Sequence, residues 1–245
     1  MKIARIPLAA VVSCILLVAC TRGGKTEVPD PASGSGSKKA ESRVSIEKRA
    51  NEGDREAQFD LGALYHDGNG VTKDLTLARK WFEKAAALGE PRAQFNVGVM
   101  YYVGEGVTQN FSKALALFQQ ASDQGNERAQ FNLGVMYYRG EGVTQDLLKA
   151  HGLFTKAAMQ NFSEAQFNLG VMEAKGEGVE PSIGKAYAWF TAARESGNPR
   201  AEEVIVSIEK ELEKDQLKIV KQLAKDLLEE IEKSVAAISS SAAKL

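Results

Sequence analysis

The tripeptide Ala-Gln-Phe occurs at residues 57–59, 93–95, 129–131 and 165–167, so its alanine recurs every 36 residues with no insertion between copies. A fixed period of that length is too short to close a core of its own, which means that each unit is stabilised by stacking on its neighbours. A chain built this way presents a repeated surface, and its function is to be sought there rather than in one pocket.

One unit, Gly53 to Leu88, shows what is repeated. Between Asp54 and Tyr65, the residues Ala57, Leu61, Leu64 and Tyr65 fall on one arc at helical spacing, which predicts a helix. Ala57 and Gly62 are small enough to let a partner helix come close. Gly68-Asn69-Gly70-Val71 stops this helix, because glycine takes the positive φ that a helix end and a tight turn need. Asp74 and its counterparts Asn110, Asp146 and Ser182 are all favoured N-cap residues and set the start of a second helix. Trp81, Phe82, Ala85 and Ala86 form its apolar face before Gly89 ends it, and Pro91 and Pro199 stand where a first-turn proline is tolerated. Each unit is therefore helix A, a glycine-rich loop, helix B and a short turn, a hairpin that stacks on the next.

These columns resemble the Sel1-like repeat, a relative of the tetratricopeptide fold. In the first unit, 53–88, they are Ala57, Leu61-Gly62, Tyr65, Gly68-Asn69-Gly70-Val71, Asp74, Ala78, Trp81, Ala85-Ala86 and Gly89, which opens the next unit. The second, 89–124, carries Ala93, Val97-Gly98, Tyr101, Gly104-Glu105-Gly106-Val107, Asn110 and Ala114. The third, 125–160, carries Ala129, Leu133-Gly134, Tyr137, Gly140-Glu141-Gly142-Val143, Asp146 and Ala150. The fourth, 161–197, carries Ala165, Leu169-Gly170, Gly176-Glu177-Gly178-Val179, Ser182, Ala186 and Trp189. The resemblance implies an all-α protein, a right-handed α/α solenoid of helix hairpins, that binds a protein or peptide and is not an enzyme. Two positions depart from it. Asn161 replaces a unit-closing glycine, and Glu173 replaces the helix A tyrosine, so Glu173 is expected to be open to solvent or paired with a charge such as Arg194.

The flanks read as covers. Residues 41–52 have the register of a preceding helix B, with Ile46 and Ala50 inward. Capping helices are expected over 198–238: Pro199 to Leu212 begins like a fifth helix A, and Leu217, Val220, Leu223, Leu227 and Ile231 form an apolar stripe. That stripe either covers the last repeat or serves a partner helix. Residues 239–245 are expected to be a disordered tail.

At the other end, Lys2 and Arg5 precede a mostly apolar run, Ile6 to Ala19, which has the anatomy of a secretory signal. The run closes in Leu17-Val18-Ala19-Cys20, which resembles the lipobox of bacterial lipoproteins. By that resemblance residues 1–19 are removed and Cys20 becomes the lipidated N-terminus, palmitate included, whose acyl chains together give stable anchoring. An ordinary cleaved signal and an uncleaved anchor are the alternatives. Thr21 stands where an Asp favours inner-membrane retention, which points to the outer membrane, periplasmic face. Residues 20–40 are rich in Gly, Ser, Pro and charge and read as a flexible stalk spanning roughly 25 Å. With Cys14 removed and Cys20 lipidated, no disulfide is available.

Composition narrows the chemistry. The 31 basic and 32 acidic residues nearly balance, giving no electrostatic case for nucleic acid. Gly-Glu-Gly-Val follows a helix and not a strand, so it reads as a turn and not a phosphate cradle. His66 and His151 lie at non-equivalent positions in different repeats, with no metal-ligand spacing, and no catalytic residue, metal or cofactor is expected.

The candidate site is the face of helix A turned away from its apolar arc, which is expected to line the concave surface. In the first unit this face is Glu56, Asp60, Ala63 and Asp67; in the second Arg92, Asn96, Val99 and Val103; in the third Arg128, Asn132, Val135 and Arg139; in the fourth Glu164, Asn168, Val171 and Lys175. The Asn96, Asn132 and Asn168 amides either bond an extended peptide backbone or bond within the array. The valines beside them suit a protein ligand. The expected function is a lipid-anchored scaffold that holds a protein partner at the cell envelope, the alternatives being a peptidoglycan-associated protein or a surface factor for a host protein.

Overall fold

The computed structural model describes residues 42–242. The expected signal segment 1–19, Cys20 and the stalk lie outside the described residues, as do residues 243–245 of the tail. The described residues form eleven helices and no strand. They are α1 (Arg43–Asn51), α2 (Arg55–Asp67), α3 (Leu75–Ala87), α4 (Pro91–Val103), α5 (Phe111–Asp123), α6 (Glu127–Arg139), α7 (Leu147–Ala158), α8 (Ser163–Lys175), α9 (Ile183–Glu195), α10 (Ala201–Glu211) and α11 (Lys214–Ala242). Within each of two compact units, neighbouring helices pack on one another, and the all-helical architecture is that of an α/α solenoid. The units divide between Gln145 and Asp146.

Local chemistry sets the helix ends. Each even-numbered helix from α2 to α8 ends on a glycine in the left-handed region, Gly68, Gly104, Gly140 and Gly176, at φ between 73° and 80°. The N–H of each reaches back to the carbonyl four residues earlier, satisfying a group the helix leaves open. Asp74, Asn110, Asp146 and Ser182 cap α3, α5, α7 and α9, each side chain accepting from the N–H three residues on.

In the first unit, α1 lays Ile46 and Ala50 over Ala57 and Leu61 of α2. Beyond it Phe59, Phe82, Ala85, Ala93, Val97 and Met100 form the core between α2, α3 and α4. In the second unit, Phe167, Tyr187 and Phe190 pack with Val204, Ile205 and Ile208 of α10 and with Val220 and Ala224 of α11. The stripe on α11 thus covers the fourth hairpin. Fully burying side chains of this size contributes about 1.5–3 kcal/mol each.

Two boundaries differ from expectation. Pro199 lies before α10, not in its first turn: the Asn198 side chain accepts from the Arg200 N–H at 3.1 Å, and this turn delays the helix to Ala201. The chain then turns extended at Leu212, so α10 and α11 are separate helices. Finally, α11 continues through Ser239, Ser240 and Ser241 to Ala242 where a disordered tail was expected; the three hydroxyls bond back to carbonyls of the preceding turn and satisfy themselves without leaving the helix.

Candidate functional site

The repeated residues divide into those that build the array and those that face outward. The Gln of Ala-Gln-Phe belongs to the first group. Gln58, Gln94, Gln130 and Gln166 are buried, and each donates its side-chain amide to the carbonyl eight residues earlier, on Ala50, Ala86, Ser122 and Ala158. Each adds a second hydrogen bond, at 3.1 to 3.4 Å, to a carbonyl at the end of the preceding helix that also accepts a backbone N–H from the turn.

The helix A glycine has one named neighbour. A Cβ on Gly62, Gly98 or Gly170 would lie 2.6 to 2.7 Å from the ring of Phe82, Phe118 or Phe190. These rings are fully buried, whereas Trp81, one residue earlier, is only half-buried. The phenylalanines of Ala-Gln-Phe stack on the same rings, at 5.5 Å for Phe59 with Phe82, 5.8 Å for Phe95 with Phe118 and 5.2 Å for Phe167 with Phe190. They are core.

The loop glycines behave likewise. Beyond the positive φ at Gly106, Gly142 and Gly178, a Cβ at these positions would meet Leu75, Phe111 and Leu147 at 2.9, 2.6 and 2.7 Å, each the first residue of a helix one repeat earlier. The Glu between the loop glycines reaches back as well. Glu141 accepts from the Tyr102 hydroxyl at 2.5 Å, and Glu105 lies 3.6 Å from Nε2 of the buried His66. Burial first, then Glu141, pushes the Tyr102 hydroxyl up to about 12.

The candidate face is partly closed. Asn96 and Val99 on α4 and Asn132 and Val135 on α6 are buried, Asn96 to 1 % exposure. An open face requires helix A to be a surface helix with one apolar side, but α4 is buried without interruption from Ala93 to Met100. A helix flanked on every side has no free face at its centre. The Asn132 amide donates to the Arg128 carbonyl on its own helix at 2.9 Å, and both polar atoms of Asn96 lack a hydrogen-bond partner. A peptide-binding amide ladder is therefore not displayed at these two positions.

The ends of the same helices stay open. In the first unit Asp67, Val103 and Arg139 are exposed on the last turns of α2, α4 and α6, and Asp60, Arg92 and Arg128 are half-buried. Arg92 bonds Glu90 at 2.7 Å and lies over the Phe59 ring at 4.2 Å, while Arg139 lies 3.6 Å from Glu141. In the second unit Asn168, Val171 and Lys175 on α8 are half-buried; Val171 packs on the core, and Lys175 pairs with Glu177 at 3.4 Å.

Both histidines are held by carboxylates. His66 Nδ1 lies 2.7 Å from Asp67. His151 Nε2 lies 3.1 Å from Glu173, which is 3 % exposed and on the next helix, α8. Glu173 is therefore neither open to solvent nor paired with Arg194, whose guanidinium meets Glu195 and Glu202. Among the described residues no cluster of three or more His, Cys, Asp or Glu could hold a metal ion, and no helix is long and apolar enough to cross a membrane.

Comparison with known families gives four consecutive matches to one repeat model, described as Sel1 repeat, at residues 55–90, 91–126, 127–162 and 163–198. The chain belongs to the Sel1 repeat family. Among solved structures it is similar to a Sel1 repeat protein from Oxalobacter formigenes, with 35 % identity over 67 % of this chain and 48 % of that one, at a TM-score of 0.62. It is also similar to c5321, a protective antigen of uropathogenic Escherichia coli with an SLR fold, with 29 % identity over 81 % and 50 % of the two chains, at a TM-score of 0.54. The chain spans about half the length of each. A comparison with curated proteins gives no match.

Within these Sel1 repeats the glutamine column and the loop glutamates were missed in the sequence as functional parts of the scaffold. Both recur at fixed columns, which was the available signal. What hid them is that their partners lie in the preceding repeat, 8 residues back for Gln94 and 39 for Glu141.

Proposed function

We propose that this Sel1 repeat protein is a lipid-anchored, non-enzymatic scaffold that binds a protein partner through the outer ends of its A helices, at the periplasmic face of a bacterial outer membrane. The observation that carries the reading is the exposed trio Asp67, Val103 and Arg139 in the first unit, one side chain on each A helix at a 36-residue interval. The repeat family supports a scaffold role, and the lipobox-like Leu17-Val18-Ala19-Cys20 supports the tether. Lipid supplies location, the segment after Cys20 supplies reach, and complementarity of side chains supplies choice of partner.

A photo-crosslinking amino acid placed at residue 103 or 139 of the full chain in cells tests the binding surface. A discrete protein adduct from these positions, absent when the probe sits at Lys156 on α7, is the expected result. Equal adducts from both places, or retention of the protein on purified sacculi alone, would reject the reading. Cys20→Ala is expected to abolish palmitate incorporation and to move the protein out of the membrane fraction.

A further inference from the structure

The B helices of the first unit leave a surface that the A-helix reading does not use. Between α3 and α5 runs a trough of about 410 Å³, floored by Val97 and Tyr101 of α4 and walled by Ala86, Ala87, Ala116 and Leu117. The hollow exists because alanines face each other where larger residues would meet. A second hollow of about 410 Å³ adjoins it along α3, beside Leu77 and Trp81, and shares Glu83 and Ala87 with the first. Leu88, 50 % exposed, extends the apolar line at the end of α3. Leu77, Trp81 and Leu88 share the other flank of α3, where Trp81 packs on the core of α1 and α2.

The rim is basic. Lys80, Lys84 and Lys113 line the two hollows. Two of these ammonium groups are held over ring faces, Lys84 at 3.8 Å from the Trp81 centroid and Lys113 at 4.9 Å from that of Tyr101. Glu83, the one acid lining either hollow, is already engaged: Arg79 meets it at 2.7 Å and the Tyr101 hydroxyl donates to it at 3.4 Å. In a chain whose total charge is close to zero, this patch is locally positive and apolar at its centre.

We infer that the α3–α5 trough is a second docking surface, which seats an acidic amphipathic helix of a partner protein over about two turns, the stretch of α5 from Lys113 to Gln120. Its apolar side chains enter between the alanines and over Val97, Tyr101 and Leu117, and its carboxylates meet Lys80, Lys84 and Lys113 on the rim, the helix-in-groove mode of recognition. Apolar contact supplies most of the affinity, while the lysines fix the sign of the partner's charge. The surface is distinct from the A-helix ends, so either can fail while the other stands.

The test is a selection of random 16-residue peptides displayed on phage against the full chain, with each enriched peptide then measured in solution. Enriched peptides are expected to carry apolar residues at i, i+3 or i+4, and i+7, with Asp or Glu flanking them. Ala116→Arg, which fills the trough from an exposed position, is expected to weaken them at least tenfold, with an unchanged circular-dichroism spectrum. The triple variant Lys80→Glu, Lys84→Glu, Lys113→Glu is expected to do the same, and peptides with Lys in place of their acids should recover binding to it. No enrichment, enrichment of basic or uncharged peptides, or binding indifferent to Ala116→Arg would overturn the inference. So would self-association of the chain that Ala116→Arg abolishes in sedimentation, since the occupant would then be a second copy.

Discussion

The hydroxyl of Tyr102 donates to a carboxylate oxygen of Glu141 at 2.5 Å, tying the end of α4 to the loop that follows α6, one repeat later. Tyr102→Phe removes the donor and keeps the ring, so the expected cost at pH 8 is about 1–2 kcal/mol. The pH dependence has a definite sign. In the unfolded chain tyrosine ionises near pH 10, whereas burial, followed by Glu141, holds the Tyr102 proton up to about pH 12 in the fold. The bond's contribution is complete below pH 10 and is lost as the pH rises through that interval. Denaturant midpoints at pH 8 and pH 11 should therefore show the wild type losing its advantage over Tyr102→Phe; an advantage that did not change with pH would refute the assignment.

Two glycines predict opposite outcomes for one substitution. A Cβ on Gly98 would lie 2.7 Å from the Phe118 ring, whereas one on Gly152 of α7 would meet nothing within 4 Å. Gly98→Ala should cost about 1–3 kcal/mol through overpacking. Gly152→Ala should stabilise by about 0.5–1 kcal/mol, because alanine is the better helix former. Thermal melts of the two variants settle the matter, and a shift of the same sign in both would contradict it.

Gln130 is buried and donates to the Ser122 carbonyl at 3.4 Å. Gln130→Met keeps the length of the side chain but removes its donor, while the Ser122 carbonyl still accepts from the Gly125 N–H at 2.9 Å, so a loss of about 0.5–1.5 kcal/mol is expected. Amide hydrogen exchange should report faster opening at the end of α5; unaltered exchange there would mean the glutamine only fills space.

His151→Ala leaves the 3 % exposed Glu173 carboxylate without its ring partner. Leaving a buried acceptor without this part-buried hydrogen bond costs about 1–3 kcal/mol. Replacing both, His151→Ala with Glu173→Tyr, restores the tyrosine found at this column as Tyr65, Tyr101 and Tyr137 and should recover much of the loss. A double variant less stable than the single one would count against this account.

Asn161 adopts φ 67° where Gly53, Gly89, Gly125 and Gly197 hold the equivalent columns. Asn161→Gly is expected to be nearly neutral and Asn161→Ala to cost about 1–2 kcal/mol, since alanine cannot enter the left-handed region without strain. Equal stability of the two variants would show that the Asn161 bonds to Ser196 and Gln166, not the backbone, decide this position.

The hairpin, its caps and its loops were legible in the sequence because each depends on residues within one turn of each other: Asp74 caps the N–H of Leu77, and Gly68 bonds back to Leu64. The candidate site was less so. Placing Asn96 on a helix face needed only periodicity, but whether that face stays open depends on how closely neighbouring repeats approach, and that distance is set by pairs such as Gly106 with Leu75. The trough between α3 and α5 is the reverse case. It arises from an absence of bulk at Ala86, Ala87 and Ala116, and small residues in a helix look the same whether they meet a neighbour or leave a gap.

Every glutamine of the repeated tripeptide reaches toward the amino terminus, to a helix that the ribosome has already released. Gln94 seals the end of α3, Gln130 that of α5, and neither of those helices waits on anything synthesised later than the next few residues for this seal. Assembly can accordingly proceed in the order of translation, each hairpin docking on a finished template. A nascent chain halted after any hairpin would show the machinery that guards against aggregation one apolar flank, the side that the next hairpin goes on to cover.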